Sequence, residues 1–212
     1  MMKLFIKFFL LLIAISSAVY AADSKKTTGE DYLDNFLAKT RTLQADFKQT
    51  LRSSDGEILQ KTAGVFYLSR PGKFRWDYSA PYAQKIISDG DHIWIYDVDL
   101  DQVTVKKQAT GVPNTPMALL DNRLKLHQQF KVIPLDHSHG IYRLKLVSKT
   151  RDADFGEIIV GMDKHGLRFL QLHDQFNQVT DIVFDKLKTN TPLAASLFQF
   201  TPPPGVDVFG QF

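Results

Sequence analysis

The amino-acid sequence predicts a mostly β fold, in which antiparallel strands form a single curled sheet or barrel with few helical segments. Many short segments alternate apolar and polar residues, which is the period of a half-buried strand. Turn-forming Gly, Pro, Asn and Asp residues separate these segments at close intervals. Because helical periodicity is confined to a few places, a parallel α/β fold is excluded.

The first 21 residues have the pattern of a secretory signal peptide. Lys3 and Lys7 precede a short apolar run at residues 8–18, and we expect cleavage after Ala21. An uncleaved anchor is the alternative, which the shortness of the run disfavours. Residues 22–212 are predicted to form a single domain. The signal contains two of the 26 Lys and Arg residues and none of the 23 acidic ones, so the mature chain is nearly neutral and lacks the basic surface that nucleic-acid binding needs.

One amphipathic helix is predicted near the start of this domain. Leu33, Phe36 and Leu37 recur at three- and four-residue spacing and form an apolar stripe. At residues 43–47 the period changes to two, so the first strand is expected there.

The rest of the domain is predicted to be a succession of strands joined by short turns. Residues 53–56 form a hairpin turn, and Pro71 begins another. Residues 109–122 break the pattern as a loop with a short helix at 117–120, and a last short helix or turn is expected at 193–197. The strands expected after the first lie at residues 58–69, 74–78, 92–96, 103–105, 130–135, 142–147, 157–162, 167–173 and 179–187.

The sequence shows no recognisable catalytic or metal-binding motif. It has no cysteine, which excludes disulfides, thiolate-bound metals and cysteine catalysis. It also has no nucleophile elbow and no phosphate-binding glycine loop. His137 and His139 lie in a polar turn, while Asp97, Asp99 and Asp101 alternate in a loop without the glutamate that a calcium loop needs. We interpret both groups as solvated turns and expect no metal, no cofactor and no enzymatic activity.

Apolar residues are more abundant than one ordinary core needs. Aromatic residues make up 12% of the chain, and several strands carry large side chains on both faces. Composition leaves two arrangements open. Either the core is filled, or helices pack over the sheet and leave a cavity, lined by Phe, Leu and Trp, for an apolar ligand.

Several segments follow one another in an order that carries a family signature. Residues 43–49 read Leu-Gln-Ala-Asp-Phe-Lys-Gln, and residues 64–76 contain Arg-Pro followed by Phe-x-Trp. The remaining segments are residues 87–90, 93–96, 116–120 and 198–206. With these segments the chain resembles the periplasmic outer-membrane lipoprotein carriers, the LolA family, over nearly the whole mature sequence.

The resemblance implies an incomplete antiparallel β-barrel, or half-barrel, covered by a lid of short α-helices that encloses a hydrophobic cavity. It implies a monomeric periplasmic carrier that takes triacylated outer-membrane lipoproteins from an inner-membrane lipoprotein-releasing ABC transporter and passes them to an outer-membrane lipoprotein receptor. The receptor of this system has a similar fold, but an acylated cysteine anchors it to the membrane. This chain has no cysteine, so the receptor is excluded. A periplasmic binding protein for a free fatty acid or another lipid is the alternative.

The resemblance also implies roles for individual residues. Arg70 matches an arginine that hydrogen-bonds carbonyl groups of the lid and keeps the empty cavity closed, and Phe74 matches an aromatic residue at the cavity mouth. The residues expected in the lid and latch are Arg70, Leu33, Phe36, Leu37, Leu119 and Leu120. The residues expected to line the acyl-chain cavity are Phe47, Phe66, Leu68, Phe74, Trp76 and Trp94.

Overall fold

The computed structural model of the chain describes residues 27–108, 123–149 and 155–210. In these ranges two α-helices, α1 (Gly29–Lys39) and α2 (Arg123–Gln129), accompany one large sheet. Short 3-10 helices span Val98–Leu100 and Ala195–Phe198. The predicted signal peptide and the predicted helix at residues 117–120 lie outside the described residues.

A single twelve-stranded sheet makes up most of the described chain. The strands are β1 (Thr42–Arg52), β2 (Ile58–Ser69), β3 (Lys73–Ala80), β4 (Gln84–Ser88), β5 (His92–Asp97), β6 (Gln102–Lys107), β7 (Phe130–Ser138), β8 (Ile141–Ser148), β9 (Phe155–Asp163), β10 (Gly166–Asp174), β11 (Val179–Thr189) and β12 (Asp207–Gly210). Their order across the sheet is β12-β6-β5-β4-β3-β2-β1-β11-β10-β9-β8-β7. Neighbours pair antiparallel, except that β12 runs parallel to β6. In the described part of the chain the sheet is open, with β12 and β7 at its two edges.

Most of the apolar core lies on one face of the sheet, which we call the inner face. Along β1 the buried residues Leu43, Ala45 and Phe47 alternate with more exposed ones, and Phe66 and Leu68 continue the same face on β2. This apolar cluster extends from β5 across the sheet to β8. The alternation is therefore what directs large side chains from most of the strands into one core.

Helix α1 covers part of the inner face. Its N-terminus is fixed by a capping box, in which the Thr28 side chain accepts from the Asp31 N–H and the Asp31 carboxylate accepts from the Thr28 N–H. The helix packs against β7, β8, β9 and β10. Gly166 at the start of β10 has a φ of +117° and leaves room for the Phe36 ring, which would lie 3.3 Å from a Cβ at that position.

A second, smaller cluster lies on the opposite, outer face of β4, β5 and β6. Ile87, Trp94, Val103 and Val105 form it, and the segment that follows the last 3-10 helix packs over them. The Phe200 ring lies 5.7 Å from the Trp94 ring, measured between centroids. The chain's C-terminal part therefore gives the outer face a core of its own.

The structure confirms the mostly β fold and the amphipathic helix near the start of the domain. It adds β4, β12 and α2, which the sequence did not predict. No helix among the described residues is long and apolar enough to cross a membrane.

Candidate functional site

Aromatic rings from four adjacent strands meet on the inner face. The ring centroid of Trp76 lies 4.8 Å from that of Phe47 and 4.9 Å from that of Phe66. Phe184 of β11 lies 6.4 Å from Phe66. All four side chains are buried. They converge because β11, β1, β2 and β3 are neighbours and each directs an alternate residue inward.

Tyr78 extends this aromatic group along β3 and was not predicted from the sequence as a site residue. Its ring contacts Phe47 edge-on at 5.2 Å and stacks on Trp76 at 6.1 Å. Its hydroxyl donates to Gln49 Oε1 at 3.4 Å. Burial raises the pKa of Tyr78 to about 12. The two-residue period that places Phe74 and Trp76 inward identifies Tyr78 as the next member.

Two buried polar atoms on the inner face lack a hydrogen-bond partner among the described residues. They are Trp76 Nε1, in the centre of the aromatic group, and Thr62 Oγ1 on β2. A buried donor or acceptor without a partner costs about 1 to 3 kcal/mol. The inner face is therefore apolar with polar positions available to a ligand.

Leu68 and Phe74 lie opposite each other at the end of β2 and β3 nearest Arg70, and both are buried. On the helix side, Leu33, Phe36 and Leu37 are buried in the same cluster. Leu119 and Leu120 lie outside the described residues.

Arg70 connects the sheet to the end of α1. Its Nη1 donates to the carbonyl of Leu37 and, at 2.7 Å, to the carbonyl of Thr40. Its own backbone N–H donates to the Arg41 carbonyl at 2.9 Å. These acceptors belong to the last turn of α1 and the residues after it, where carbonyls lack helical partners. The guanidinium thus fastens α1 to the turn between β2 and β3.

Trp94 does not lie with the other residues predicted to line the cavity. It belongs to the outer-face cluster, and its Nε1 donates to Asp89 Oδ2 at 3.1 Å. The physical reason is strand alternation, since Ile93 and Ile95 take the inward positions on β5. The sequence here is apolar on both faces, so its pattern does not show which face is inward.

Helix α2 is tied to α1 by a pair that the sequence did not predict. His127 Nε2 lies 2.8 Å from Asp34 Oδ1, an ion pair when the imidazole is protonated. Lys149 Nζ donates to the His127 carbonyl at 2.7 Å. The two helices and the end of β8 therefore form one connected patch beside the inner face.

The polar turns contain ordinary local contacts. The His137 ring stacks on Tyr142 with centroids 3.8 Å apart, and His139 Nδ1 lies 2.8 Å from the Ser138 hydroxyl. Asp97 accepts from Gln84 Nε2 at 2.5 Å. Across the described ranges, no three His, Asp or Glu side chains are grouped so that they could hold a metal ion.

The fold and the site define a class of protein: an open antiparallel sheet whose aromatic inner face is partly covered by helices. Residues 38–201 match the family model described as outer membrane lipoprotein carrier protein LolA, and the chain belongs to this family.

Curated relatives agree over most of the chain. The outer-membrane lipoprotein carrier protein of Methylococcus capsulatus is 44% identical over 188 residues, which are 89% of this chain and 90% of the relative. The protein of that name from Nitrosospira multiformis is 38% identical, and the match covers 99% of this chain and 100% of the relative. The protein of that name from Neisseria gonorrhoeae is 35% identical, and the match covers 94% of this chain and 95% of the relative.

Among solved structures, the fold is similar to that of an uncharacterized conserved protein from Thermus thermophilus. The TM-score is 0.54 at 13% identity, with 85% of this chain and 97% of the other covered. This similarity shows the fold alone.

Proposed function

We propose that the protein is a periplasmic carrier that holds the acyl chains of outer-membrane lipoproteins against the inner face, beneath the helices. The observation that carries the proposal is the aromatic inner face, closed on one side by α1 and fastened there by Arg70. Membership of the lipoprotein carrier family, and relatives that bear this name, support it.

Acyl chains need such a carrier in an aqueous compartment. Each methylene removed from water contributes about 0.8 kcal/mol, so one exposed long chain costs on the order of 10 kcal/mol. Three chains cost several times more, and spontaneous transfer between membranes is negligible. A protein that shields the chains must also release them, so its affinity has to be lower than that of the acceptor.

Loading requires the inner face to open. Phe47, Phe66 and Trp76 pack against one another and are almost fully buried. Acyl chains would take up these contacts, and movement of α1 away from β7 to β10 would uncover the adjoining part of the same apolar cluster. Trp76 Nε1 would then offer a donor to an ester or amide carbonyl of the acylated end.

Arg70 would form the closing contact of the lid. Its acceptors at the end of α1 are backbone carbonyls, so these bonds break and re-form without rearrangement of a partner side chain. Arg70 would favour the closed, empty state and so help to expel the cargo at the acceptor.

The proposed route runs from an inner-membrane lipoprotein-releasing ABC transporter to an outer-membrane lipoprotein receptor. The carrier would act as a monomer and leave ATP hydrolysis to the transporter. The signal peptide expected at residues 1–21 would bring it to the periplasm. The family is one of carriers, and no observation favours a free fatty acid as the main ligand over a lipoprotein.

The chain's two tryptophans make a direct test, because Trp76 lies on the inner face and Trp94 on the outer face. Variants Trp94→Phe and Trp76→Phe each leave one tryptophan as the only indole reporter. A brominated diacyl lipid quenches only fluorophores that it contacts. We expect it to quench Trp76 with a stoichiometry near one and to leave Trp94 unchanged. Displacement by a purified lipoprotein would support a lipoprotein cargo. Quenching of neither residue, or of Trp94 alone, would refute an inner-face site.

A further inference from the structure

Four hairpin turns lie side by side at one end of the sheet, and each carries an exposed apolar side chain. In spatial order they are the turns at 98–101, 81–83, 53–57 and 175–178, which we call the turn end together with the adjoining strand residues Ile58, Leu59 and Asp174. Leu100 is 73% exposed, Tyr82 69% and Phe176 70%, while Ile58 and Leu59 are each about half exposed. Isolated exposed apolar residues are ordinary, but a row of them on adjacent turns marks a contact surface.

The opposite end of the sheet differs. Its described turns, at residues 70–72, 89–91, 139–140 and 164–165, contain none of the exposed large apolar side chains. Arg70 lies at this opposite end. The twelve residues of β2 separate it from the turn end by roughly 40 Å, at about 3.4 Å per residue. The exposed apolar residues are therefore remote from the proposed lid contact.

A cavity of about 540 Å³ opens between two of these turns. Tyr82 and Leu100 line it together with Gln84, Asp97 and Thr62. Tyr78 and Gln49 also line it, so the cavity adjoins the aromatic inner face. Thr62 Oγ1 is the buried hydroxyl without a partner among the described residues. Interface anchors are typically large side chains that enter such pockets while neighbouring residues exclude water. The cavity is large enough for one aromatic or aliphatic anchor with a polar group at its tip.

The charge of the turn end indicates the chemistry of its partner. The turn end contains five carboxylates, Asp55, Glu57, Asp99, Asp101 and Asp174, and no Lys or Arg. The neighbouring Arg52 is paired with Asp181 at 3.5 Å. The pKa of Asp55 is lowered, chiefly by the hydrogen bond from the Ser53 hydroxyl, which keeps this carboxylate charged. Apolar residues bordered by acids are repelled by anionic lipid surfaces, which attract basic segments instead. They suit a protein surface with Lys and Arg around apolar side chains.

We propose that the turn end is a docking surface for a protein partner whose contact segment places an apolar anchor in the cavity and Lys or Arg beside the carboxylates. Docking at this end leaves the Arg70 end free. The inference goes beyond the proposed carrier function. Only the choice of membranes in its test rests on that function.

The test measures binding of the labelled mature protein to spheroplasts and to outer-membrane vesicles of its own organism at low salt. We expect saturable binding to at least one of these membranes. The triple variant Tyr82→Ser, Leu100→Ser, Phe176→Ser should bind at least tenfold more weakly, since each lost anchor contact typically weakens binding several-fold. The variant Asp55→Asn, Glu57→Gln, Asp99→Asn should bind several-fold more weakly and depend less on salt. The control Leu135→Ser, Val183→Ser, Val208→Ser removes exposed apolar residues elsewhere and should bind like wild type.

Trypsin treatment of the membranes should abolish binding, because the partner is a protein. Equal binding to protein-free vesicles of phosphatidylethanolamine and phosphatidylglycerol would identify a lipid surface and overturn the proposal. Wild-type affinity of the turn-end variant, or no binding of wild type to either membrane, would also overturn it. Quenching of Trp76 by brominated lipid should be unchanged in the turn-end variant, so failure of docking and failure of the carrier function are distinguished.

Discussion

In the proposed mechanism, closure of the inner face depends most on Arg70. One guanidinium nitrogen donates to two backbone carbonyls, those of Leu37 and Thr40. Hydrogen bonds from a charged donor contribute about 1.5 to 3 kcal/mol each. A change at this one side chain is therefore large enough to shift the balance between closed and open forms.

Replacement of Arg70 by Leu should raise the open population by about one to two powers of ten. Loading should survive, because the apolar face is intact. Delivery should fail, because the closed state that competes with the cargo is lost and an added apolar side chain attracts acyl chains. Arg70→Lys should be milder, since it keeps the charge but loses the planar fork. The measurement is the fraction of lipoprotein passed to receptor-bearing vesicles, and delivery at the wild-type level by Arg70→Leu would show that Arg70 is not a latch.

Tyr78 gives a pH-dependent prediction. Burial raises its pKa to about 12 in the folded protein, against about 10 in the unfolded chain. Below pH 10 Tyr78 is protonated in both the folded and the unfolded protein, so its contribution to the free energy of unfolding is fully present. As pH rises from about 10 to about 12, the unfolded chain loses the phenolic proton first, so the free energy of unfolding falls, by about 2 to 3 kcal/mol in all.

Urea unfolding at pH 9 and pH 11 checks this, with Tyr78→Phe as the control. The drop in the free energy of unfolding should be clearly smaller in the variant, because the other tyrosines titrate in both proteins. An identical drop would show that Tyr78 does not titrate in the way that its burial requires.

At the residue scale the sequence indicates side-chain chemistry better than side-chain direction. Five of the six residues predicted for the cavity share the inner face, whereas Trp94 lies on the outer face. Residues 93–96 are all large and apolar, so the sequence shows no alternation from which the inward face of the strand could be predicted. Phe184 was missed because its contact with Phe66 joins strands that are more than a hundred positions apart in the sequence.

Among the elements, α1 carries Leu33, Phe36 and Leu37, three of the residues proposed for the lid. Its apolar stripe and its capping box are both local features, which is why the sequence predicts it well. Its contacts with four strands at the far edge of the sheet are not local and could not be predicted from periodicity.

Removal of the cap should loosen α1 at its N-terminus. Thr28→Ala deletes the acceptor of the Asp31 N–H and should cost about 1 kcal/mol. Hydrogen exchange of the amides in the first turn of α1 should then quicken roughly fivefold, whereas Thr27→Ala should leave it unchanged because the capping residue is intact. Equal exchange in the two variants would contradict the cap's role.

Gly64 controls how closely β2 and β3 approach. A Cβ at this position would overlap the Asp77 carbonyl oxygen and lie 2.9 Å from Phe47 Cε1. Because a backbone atom cannot move without displacing the strand, Gly64→Ala should destabilise the protein by at least about 1 to 3 kcal/mol. Gly156→Ala is the matched control, since no described atom beyond its chain neighbours lies within 4 Å of its added Cβ. The midpoint of urea unfolding should fall only for Gly64→Ala, and an unchanged midpoint would refute the close approach.

The elements that the sequence missed are short or depend on distant partners. Strand β4 is only five residues long and begins with Gln and Lys, so it shows little alternation. Strand β12 is four exposed residues whose pairing with β6 is parallel and joins distant parts of the chain. Neither length nor composition distinguishes such segments from a loop.

The two proposals assign different tasks to the two faces and the two ends of the whole molecule. The inner face carries the aromatic group proposed to hold acyl chains, while the outer face is covered over β4 to β6 by the C-terminal segment. Arg70 and the end of α1 lie at one end of the sheet, and the turn end is the other. This separation would let cargo transfer and partner docking take place at different ends of the same molecule.

At this scale the sequence predicts the class of fold but not its closure. The alternation of apolar and polar residues and the turn residues between strands are local features, and they are sufficient to predict a single antiparallel sheet. Whether the sheet closes depends on whether β7 and β12 meet, and the described residues place them at opposite edges. The function followed from the order of the family's segments over nearly the whole mature sequence rather than from any motif of catalysis.

The most direct test of the carrier function is a transfer assay. Inner-membrane vesicles that hold a labelled triacylated lipoprotein and its transporter are mixed with the mature protein and ATP. We predict a soluble one-to-one complex of lipoprotein and carrier that forms only with ATP and then passes its lipoprotein to receptor-bearing vesicles. Lipoprotein that stays with the inner-membrane vesicles in the presence of both ATP and the protein would contradict the proposed function.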